Sequence, residues 1–391
     1  MKWKKKKLCE CTEYITDGDH QPAPKADKGV HFIKIKDIVN NQVSFDAQVY
    51  VPQEYYDNLP MERKPQKEDV LYTVVGSFGI PSYVQTDELF CFERNIALLH
   101  PNKDIEPRFL YYSLKNPAFY KGVEIVANGS AQKLIPLSKL KDLKISVPDK
   151  EAQRHIADIL SAYDDLIENN QKQIKLLEEA DQRLYKEWFV DLRFPGHENT
   201  KIVDGVPEGW NEKTLSQVAN VIMGQSPKSE FYNSEKKGLP FHQGVGSYGV
   251  RFVMDDIYST SYTRIAEPNS ILFSVRAPVG RLNITKNKVV IGRGLAAINQ
   301  TDGCQSYLYY LLKNKFFKDN IVGNGSIFAS VSKDELLNQK FLIPERNLMM
   351  QFEKIVSQMD KQIENLDSKN KKLIEARDRL LPKLMSGEVE V

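Results

Sequence analysis

The chain lacks the features that mark several classes of protein. Its 391 residues contain four cysteines, Cys9, Cys11, Cys91 and Cys304, which are too few for a disulfide framework in a chain of this length. No apolar run approaches the ~20 residues that a membrane-spanning helix needs. The basic N-terminus is followed by Cys9-Glu-Cys11 rather than by an apolar stretch, so no secretory signal is expected. The sequence therefore predicts a cytoplasmic protein with no membrane partner.

Catalytic motifs are also missing. No Gly-Lys dipeptide occurs, which excludes a Walker A phosphate loop. Gly244-Val-Gly-Ser-Tyr-Gly249 has the spacing of a dinucleotide-binding loop, but residues 250–254 behind it have a strand pattern, whereas a pyrophosphate needs a helix N-terminus there. Cys9, Cys11 and His20 offer at most three zinc ligands without a second pair. We therefore predict no catalytic residues, no metal and no cofactor in this chain.

An internal repeat with a period near 200 residues is the most informative feature that is present. Leu110-Tyr-Tyr-Ser-Leu-Lys-Asn116 recurs as Leu308-Tyr-Tyr-Leu-Leu-Lys-Asn314, and Val70-Leu-Tyr-Thr-Val74 recurs as Ile271-Leu-Phe-Ser-Val275. This period is that of a whole module, because solenoid repeats run to roughly 20–50 residues. In each copy, short strand patterns separated by turn residues predict an α+β globule with a β-rich centre.

A long stretch without glycine or proline follows each globule. In both stretches mainly apolar residues alternate steps of three and four, and each member of the second set lies 196 residues after its partner in the first. This heptad pattern predicts one long helix in each copy. The predicted seam residues are Leu160, Tyr163, Ile167, Asn170, Ile174, Leu177, Leu184, Val356, Met359, Ile363, Leu366, Asn370, Leu373 and Leu380.

The polar seam residues favour antiparallel pairing of the two helices. If Lys172 lies opposite Ser368, Asn170 meets Asn370, and two buried amides then satisfy each other and set the register. The alternative is that both asparagines are simply hydrated at a wet seam.

The predicted fold is α+β: two similar globules, two long helices forming an antiparallel coiled coil, and a pseudo-two-fold internal repeat. The predicted boundaries are 1–148 and 191–343 for the globules, and 149–190 and 344–391 for the helices.

Basic side chains are concentrated in the second globule. Between residues 251 and 293, seven basic residues stand against three acidic ones. This Arg-rich excess suits contact with phosphates and guanine edges, although a solvated basic face gives the same pattern. Arg276 and Arg293 have the alternative of pairing with Asp255 and Asp256 as structural salt bridges. Two similar surfaces on paired helices suit a bipartite DNA site or two copies of another protein.

Several segments together resemble one known family. They are Ile135-Pro-Leu-Ser-Lys-Leu-Lys-Asp-Leu-Lys-Ile-Ser-Val-Pro148 with Glu151-Ala-Gln-Arg-His-Ile156, then Leu184-Tyr-Lys-Glu-Trp-Phe-Val-Asp-Leu-Arg-Phe-Pro195, Val206-Pro-Glu-Gly-Trp210 and Leu380-Leu-Pro-Lys-Leu-Met-Ser-Gly387. In them the chain resembles the specificity (S) subunit of type I restriction–modification systems, and the resemblance covers essentially the whole chain. The second junction departs from the pattern, because Pro344-Glu-Arg-Asn-Leu-Met-Met-Gln351 lacks the Glu-Gln pair at the usual spacing.

The resemblance implies a non-catalytic DNA-recognition subunit with two target recognition domains, each reading one half of an asymmetric bipartite site in double-stranded DNA. It implies that the helices set the spacing and dock two methyltransferase (M) subunits, which bind S-adenosylmethionine and methylate adenine N6. Restriction–translocase (R) subunits that use ATP and Mg would join them.

No fixed family motif marks the base-reading residues. They are therefore predicted from basic and amide side chains, with residues 17–65 and 225–265, where the globules differ most, as the candidate reading loops. The candidates for the first half-site are Lys34, Lys36, Gln132 and Lys133. The candidates for the second are Gln243, Arg251, Arg276, Arg281, Arg293 and Asn324.

Two rival functions remain open at this point. One is a coiled-coil scaffold without DNA contact, which a steep, salt-dependent binding to duplex DNA would exclude. The other is a stand-alone DNA methyltransferase or nuclease, which would methylate or cut DNA as the purified chain alone.

Overall fold

The structure, a computed structural model, divides into two compact units. Unit 1 comprises Met1–Gln171 and Ser368–Val391, and unit 2 comprises Lys172–Asp367. The residues that the structure describes are 3–20, 22–127, 133–316 and 330–391. Each unit thus combines one globule with the adjoining parts of two long helices. The predicted boundaries at 148, 190 and 343 separate four consecutive segments of the sequence, two globules and two helices. They stay predictions.

Short strands and helices make up unit 1. Its strands are β1 (Lys4–Lys7), β2 (Thr12–Asp17), β3 (Val30–Ile33), β4 (Ile38–Val39), β5 (Gln42–Val43), β6 (Tyr50–Val51), β7 (Val70–Thr73), β8 (Pro81–Tyr83), β9 (Phe90–Phe92), β10 (Ile96–Pro101) and β11 (Lys144–Val147). Its helices are α1 (Gln53–Asp57), α2 (Pro107–Lys115), α3 (Pro117–Val126) and α4 (Leu137–Asp142), followed by the long helix α5 (Lys150–Phe189), of which the part up to Gln171 belongs to this unit.

Unit 2 repeats this composition. Its strands are β12 (Ile202–Val203), β13 (Val206–Pro207), β14 (Asn211–Thr214), β15 (Ala219–Met223), β16 (Tyr232–Asn233), β17 (Leu239–His242), β18 (Tyr258–Ser259), β19 (Ile265–Ala266), β20 (Ile271–Ser274), β21 (Leu282–Ile284), β22 (Val289–Ile291), β23 (Leu295–Gln300) and β24 (Lys340–Ile343). Its helices are α6 (Leu215–Val218), α7 (Gln305–Phe316) and α8 (Lys333–Leu337), followed by the long helix α9 (Arg346–Ser386), of which the part up to Asp367 belongs to this unit.

Both units are built around the same four-stranded antiparallel sheet. The strand order is β2-β10-β7-β8 in unit 1 and β15-β23-β20-β21 in unit 2. Each unit also contains a parallel strand pair, which is β3 with β9 in unit 1 and β17 with β22 in unit 2. A further antiparallel pair joins β1 to β11 and β14 to β24. The matching strand orders confirm the duplication that the sequence repeat predicts.

The central strands are buried on both faces. Tyr72 packs with Phe109 of α2 in one core cluster, while its neighbour Leu71 packs with Phe92 of β9 in another. Because successive side chains of a strand point to opposite faces, a strand between two cores is apolar at nearly every position. This explains the continuous apolar character of the repeated segments Val70–Thr73 and Ile271–Ser274.

The long helices pair in antiparallel fashion within each unit. In unit 1, Leu160 of α5 shares a core with Leu381 and Leu384 of α9, so the start of α5 meets the end of α9. In unit 2, the rings of Tyr185 of α5 and Phe352 of α9 lie 6.0 Å apart, so the end of α5 meets the start of α9. All fourteen predicted seam residues are buried or half-buried. The antiparallel coiled coil predicted from the heptads is therefore confirmed.

The start of α5 is capped by its own sequence. The carboxylate of Asp149 accepts a hydrogen bond of 3.0 Å from the backbone N–H of Ala152, which satisfies one of the free donors in the first turn. Within the described residues, no helix has both the length and the hydropathy that crossing a membrane requires.

Candidate nucleic-acid interface

The parallel strands of unit 2 end side by side and present two predicted reading residues. His242 of β17 lies opposite Ile291 of β22, and the backbone N–H of Gly292 donates to the carbonyl of His242 at 2.8 Å. Gln243 follows the first strand, Arg293 follows the second after one glycine, and both side chains are exposed. The strand ends therefore bring these two side chains to one place.

Glycines allow the chain segments to approach closely here. A Cβ on Gly294 would lie 2.5 Å from the carbonyl oxygen of Gln243, and a Cβ on Gly292 would lie 3.0 Å from the Cα of Gln243. The hydroxyl of Ser226 donates to Oε1 of Gln243 at 2.8 Å and accepts from the backbone N–H of Arg293 at 3.2 Å. These bonds fix the amide group of Gln243 and the backbone from which Arg293 extends.

Arg276 lies at the same end of the central sheet. The backbone N–H of Val275 donates to the carbonyl of Gly294 at 2.9 Å. Arg276 directly follows Val275, and Arg293 directly precedes Gly294. The two arginines therefore lie on adjacent chain segments, and both are exposed. We name Gln243, Arg276 and Arg293 corner 2.

The alternative role of Arg276 and Arg293, ion pairs with Asp255 and Asp256, is not observed in the described ranges. Asp255 Oδ1 lies 3.2 Å from Nε2 of the buried His242. In the part of the chain that the structure describes, neither arginine has an ion-pairing carboxylate. Both guanidinium groups remain available for an external anion or base edge.

Unit 1 repeats the arrangement with different side chains. Ile33 of β3 lies opposite Phe92 of β9, and the backbone N–H of Glu93 donates to the carbonyl of Ile33 at 3.0 Å. Lys34 follows the first strand and is half-buried, while Arg94 follows the second after one residue and is exposed. Lys34 and Arg94 thus occupy the positions that Gln243 and Arg293 occupy in unit 2.

Lys133 lies beside the turn after β7. Its carbonyl accepts a 3.3 Å hydrogen bond from the backbone N–H of Gly76, and its ammonium lies 5.4 Å from the ring centre of Phe78. The ammonium is also 3.8 Å from the carboxylate of Glu124. Because the β7–β8 turn corresponds to the turn that carries Arg276, Lys133 supplies unit 1 with a cation near this turn. We name Lys34, Arg94 and Lys133 corner 1.

Sequence reasoning missed Arg94. The signal was available, because Phe92-Glu-Arg-Asn-Ile-Ala97 aligns with Ile291-Gly-Arg-Gly-Leu-Ala296 at a spacing of 199 residues, between the spacings of 201 and 198 residues that relate the flanking repeated segments. The arginine was overlooked because the charge count of the first globule is nearly balanced, which gave no reason to single out one side chain.

Two further candidates, Lys36 and Arg281, lie outside the two corners. Lys36 is exposed in the turn Ile35–Asp37. Arg281 is half-buried, and its backbone N–H donates to the hydroxyl of Ser274 at 2.8 Å. Gln132 and Asn324 lie outside the described residues.

The prediction that Arg251 contacts DNA is wrong in this structure. Its side chain is 2 % exposed and lies inside unit 2. One nitrogen donates to the hydroxyl of Tyr310 at 3.0 Å, another forms an ion pair with Asp360, and the guanidinium lies 4.7 Å from the ring centre of Tyr309. A buried guanidinium with these partners cannot reach a duplex. Composition alone could not separate it from the exposed arginines.

Three helix carboxylates explain why the core holds this arginine. Oε1 of Glu178 lies 3.5 Å from Nη1 of Arg251, and Asp181 accepts a 3.1 Å hydrogen bond from the hydroxyl of Tyr310. Burial, followed by the nearby charge of Asp360, raises the pKa of Asp181 to about 7. One buried cation therefore offsets several anionic groups.

The two corners have the chemistry of a nucleic-acid surface. Arginine and lysine donate to phosphate oxygens and to guanine edges, and glutamine pairs with adenine through its amide. Within the described ranges, no group of three His, Cys, Asp or Glu side chains is arranged to hold a metal ion.

A family sequence model and individual relatives all point to the same family of proteins. The sequence model of the type I restriction modification DNA specificity domain matches residues 1–179 and 207–376. The chain is 30% identical over 400 residues to a Methanocaldococcus jannaschii protein named for the specificity subunit of type I restriction enzyme MjaX, covering 100% of this chain and 94% of that protein. It is 24% identical over 444 residues to the HindI specificity subunit of Haemophilus influenzae, covering 92% and 94%.

A solved structure also has a similar fold. The crystal structure of a type I restriction–modification S subunit from M. genitalium superposes with a TM-score of 0.61 at 20% sequence identity. The match covers 98% of this chain and 96% of that one. The similarity therefore extends over the whole duplicated architecture.

Proposed function

Because the chain belongs to the family of type I restriction–modification specificity subunits, we propose that each unit reads one half of an asymmetric bipartite DNA sequence. The family establishes the general role, which is that of a DNA sequence-recognition subunit. Specificity subunits are non-catalytic, and the catalytic activities lie in partner subunits. The proposal goes beyond this general role in assigning one half-site to corner 1 and the other half-site to corner 2.

The observation that carries the proposal is the repeated corner with altered side chains. Both units place an arginine, Arg94 or Arg293, two residues before a strand of the central sheet, β10 in unit 1 and β23 in unit 2. Beside it, unit 1 carries Lys34 and unit 2 carries Gln243. Lysine and arginine favour guanine, whereas glutamine favours adenine. A common backbone with different donors and acceptors suits two half-sites of different sequence.

The same proposal includes the partners. Two methyltransferase subunits would dock on the long helices, and restriction–translocase subunits would join them. Exposed apolar residues on α5 and α9 support docking, because large apolar side chains on a helix face favour a protein partner. They are Leu166, Leu176, Met350 and Ile355, which are 42% to 65% exposed. S-adenosylmethionine, ATP and Mg would bind to the partner subunits, in the cytoplasm, and the helices would set the spacing between the half-sites.

Methylome sequencing tests the proposal. The chain would be co-expressed with a type I methyltransferase subunit from its own host in a strain without other adenine methylation. We expect N6-methyladenine at one bipartite motif with two different half-sites and a fixed gap. Methylation at a single contiguous motif would contradict the two-reader proposal. Methylation by the chain without its partner would contradict the assignment of catalysis to the partner.

A binding experiment addresses the scaffold alternative. Gel shifts of the chain–methyltransferase complex on a duplex carrying the motif would be measured over a range of salt concentrations. Neutralised phosphates predict a steep, linear fall of log affinity with log salt concentration. No shift of any duplex, even at low salt where phosphate contacts are strongest, would favour a scaffold without DNA contact.

A further inference from the structure

Two positions of the duplicated helices carry charged side chains in both copies, and at one of them the sign of the charge is reversed. Asp164 of α5 corresponds to Asp360 of α9, 196 residues later, so this acidic position is retained. At the same spacing Asp181 of α5 corresponds to Arg377 of α9. The retained aspartate therefore faces different surroundings in unit 1 and in unit 2.

In unit 1 the helices satisfy the retained aspartate themselves. Arg377 of α9 is 12 % exposed and forms an ion pair with Asp164 of α5. The hydroxyl of Tyr112 donates to the other carboxylate oxygen at 2.7 Å. Lys115 from the globule lies farther away, 3.7 Å from the same oxygen. The cation nearest to Asp164 thus comes from the helix pair and not from the globule.

In the described part of unit 2, the helices supply no cation to the retained aspartate, Asp360. The position of Arg377 is taken by Asp181, so α5 and α9 contribute the half-buried Glu178 and Asp360 and the buried Asp181 to one acidic cluster. The cation comes from the globule as Arg251. Removing one partner of a buried charge pair leaves the other charge uncompensated, which is strongly unfavourable. The second globule therefore carries the charge that its helices lack.

We propose that Arg251 is a positioning residue that ties the second recognition globule to its helices, in the place that Arg377 fills in unit 1. The consequence concerns recognition because Arg251 and Gln243 lie on one short segment. The carbonyl of Arg251 accepts a 2.9 Å hydrogen bond from Ile284, and Ser247 between them contacts Nδ1 of His242 at 2.8 Å. An unanchored Arg251 would release the segment that begins with Gln243.

The two globules are then not interchangeable between the helix pairs. Grafted onto the unit 1 helices, the second globule would bring Arg251 towards Arg377, and two cations would compete for Asp164. Grafted onto the unit 2 helices, the first globule would bring no arginine to Asp360. The recognition globules are thus matched to their own positions by charge.

A double substitution tests the proposal in the full complex with the methyltransferase. Arg251→Gln removes the cation and retains a hydrogen-bonding side chain. Asp181→Arg then provides a helix-borne arginine beside Asp360, as Arg377 does beside Asp164. We expect Arg251→Gln to reduce discrimination at the second half-site by about 10-fold or more and to lower the melting temperature by about 6 °C or more. The double variant should recover most of both losses.

The control variants isolate the role of Arg251. Asp181→Arg alone should give no gain, because Arg251 is already present. Arg377→Gln should impair the first half-site instead of the second. Discrimination is measured on duplexes with one base changed in either half-site, since a purely structural defect would lower both equally.

The outcomes decide the proposal, which rests on the proposed function only for its DNA readout. Wild-type behaviour of Arg251→Gln would overturn it, and so would a double variant no better than the single one. Recovery of the melting temperature without recovery at the second half-site would overturn the positioning role. If the wild-type complex recognises no bipartite sequence, the proposed function fails. The melting temperatures then decide by themselves whether a helix arginine replaces Arg251.

Discussion

Asn170 of α5 and Asn370 of α9 are hydrogen-bonded to each other inside unit 1. Nδ2 of Asn170 donates to Oδ1 of Asn370 at 2.7 Å, and Nδ2 of Asn370 points to the carbonyl of Ile167 at 3.4 Å. The two residues are 8% and 7% exposed, so the alternative of two hydrated amides does not apply. The antiparallel register in which Lys172 lies opposite Ser368 predicted this contact.

Substitutions at this pair should show a marked non-additivity. Asn370→Leu leaves a buried amide of Asn170 without its acceptor and should lower the free energy of unfolding by about 1–3 kcal/mol. Asn170→Leu together with Asn370→Leu replaces both amides by apolar groups, and the loss should largely disappear. Urea unfolding followed by the circular dichroism of the helices measures both. A double variant as unstable as the sum of the single ones would contradict this account of the seam.

Arg293 and Arg94 should each affect one half of the recognised sequence. Arg293→Ala should relax base preference at one position of the second half-site, at a cost of about 1–3 kcal/mol, and leave the first half-site unchanged. Arg94→Ala should do the converse. The measurement is methylation of duplex libraries in which one half-site at a time is randomised.

Lys201→Ala provides a control for these arginines, because Lys201 is an exposed cation of unit 2 that belongs to neither corner. It should leave both half-sites intact. Equal weakening on every duplex after Arg293→Ala would instead identify Arg293 as a phosphate contact.

A methyl group at Gly294 should damage corner 2 without any change of charge. In Gly294→Ala, the new Cβ would meet the carbonyl oxygen of Gln243 at 2.5 Å, so the two segments must separate. We expect weaker selection at the second half-site and normal selection at the first. Gly246→Ala is the matched control, because a Cβ there has no atom within 4 Å. Equal effects of the two alanines in the methylation assay would argue against close packing as the cause.

The helices and the asparagine pair were predictable because their signals are periodic. A heptad seam needs only the spacing of residues along one chain, and the 196-residue offset supplied the partner helix. The strand duplication was visible for the same reason, since segments such as Val70–Thr73 and Ile271–Ser274 keep their apolar pattern in both copies.

The reading residues were less predictable because exposure is a tertiary property. Arg251 and Arg276 are equivalent in composition and lie close together in the sequence. They differ because Asp360, 109 residues away, draws Arg251 into the core, whereas the turn after β20 leaves Arg276 in solvent. Arg94 is the opposite case, because its equivalence with Arg293 is visible in the aligned segments 92–97 and 291–296, and the matching places of β9 and β22 agree with it.

Asp181 should make the stability of unit 2 fall as the pH rises from about 4 to about 7. It is faced by Asp360 of α9, Glu178 of α5, Arg251 of the globule and Tyr310 of α7, and its pKa is raised from 3.8 to about 7. In this window the folded chain retains a proton that the unfolded chain releases, so each rise in pH favours unfolding. Asp181→Asn removes the titration and should raise the free energy of unfolding at neutral pH by an amount on the order of 2–4 kcal/mol. Urea titrations at a series of pH values measure the slope of the free energy of unfolding against pH. The exposed control Asp204→Asn should leave this slope unchanged. An unaltered slope in Asp181→Asn would show that the Asp181 carboxyl is already ionised in the folded chain.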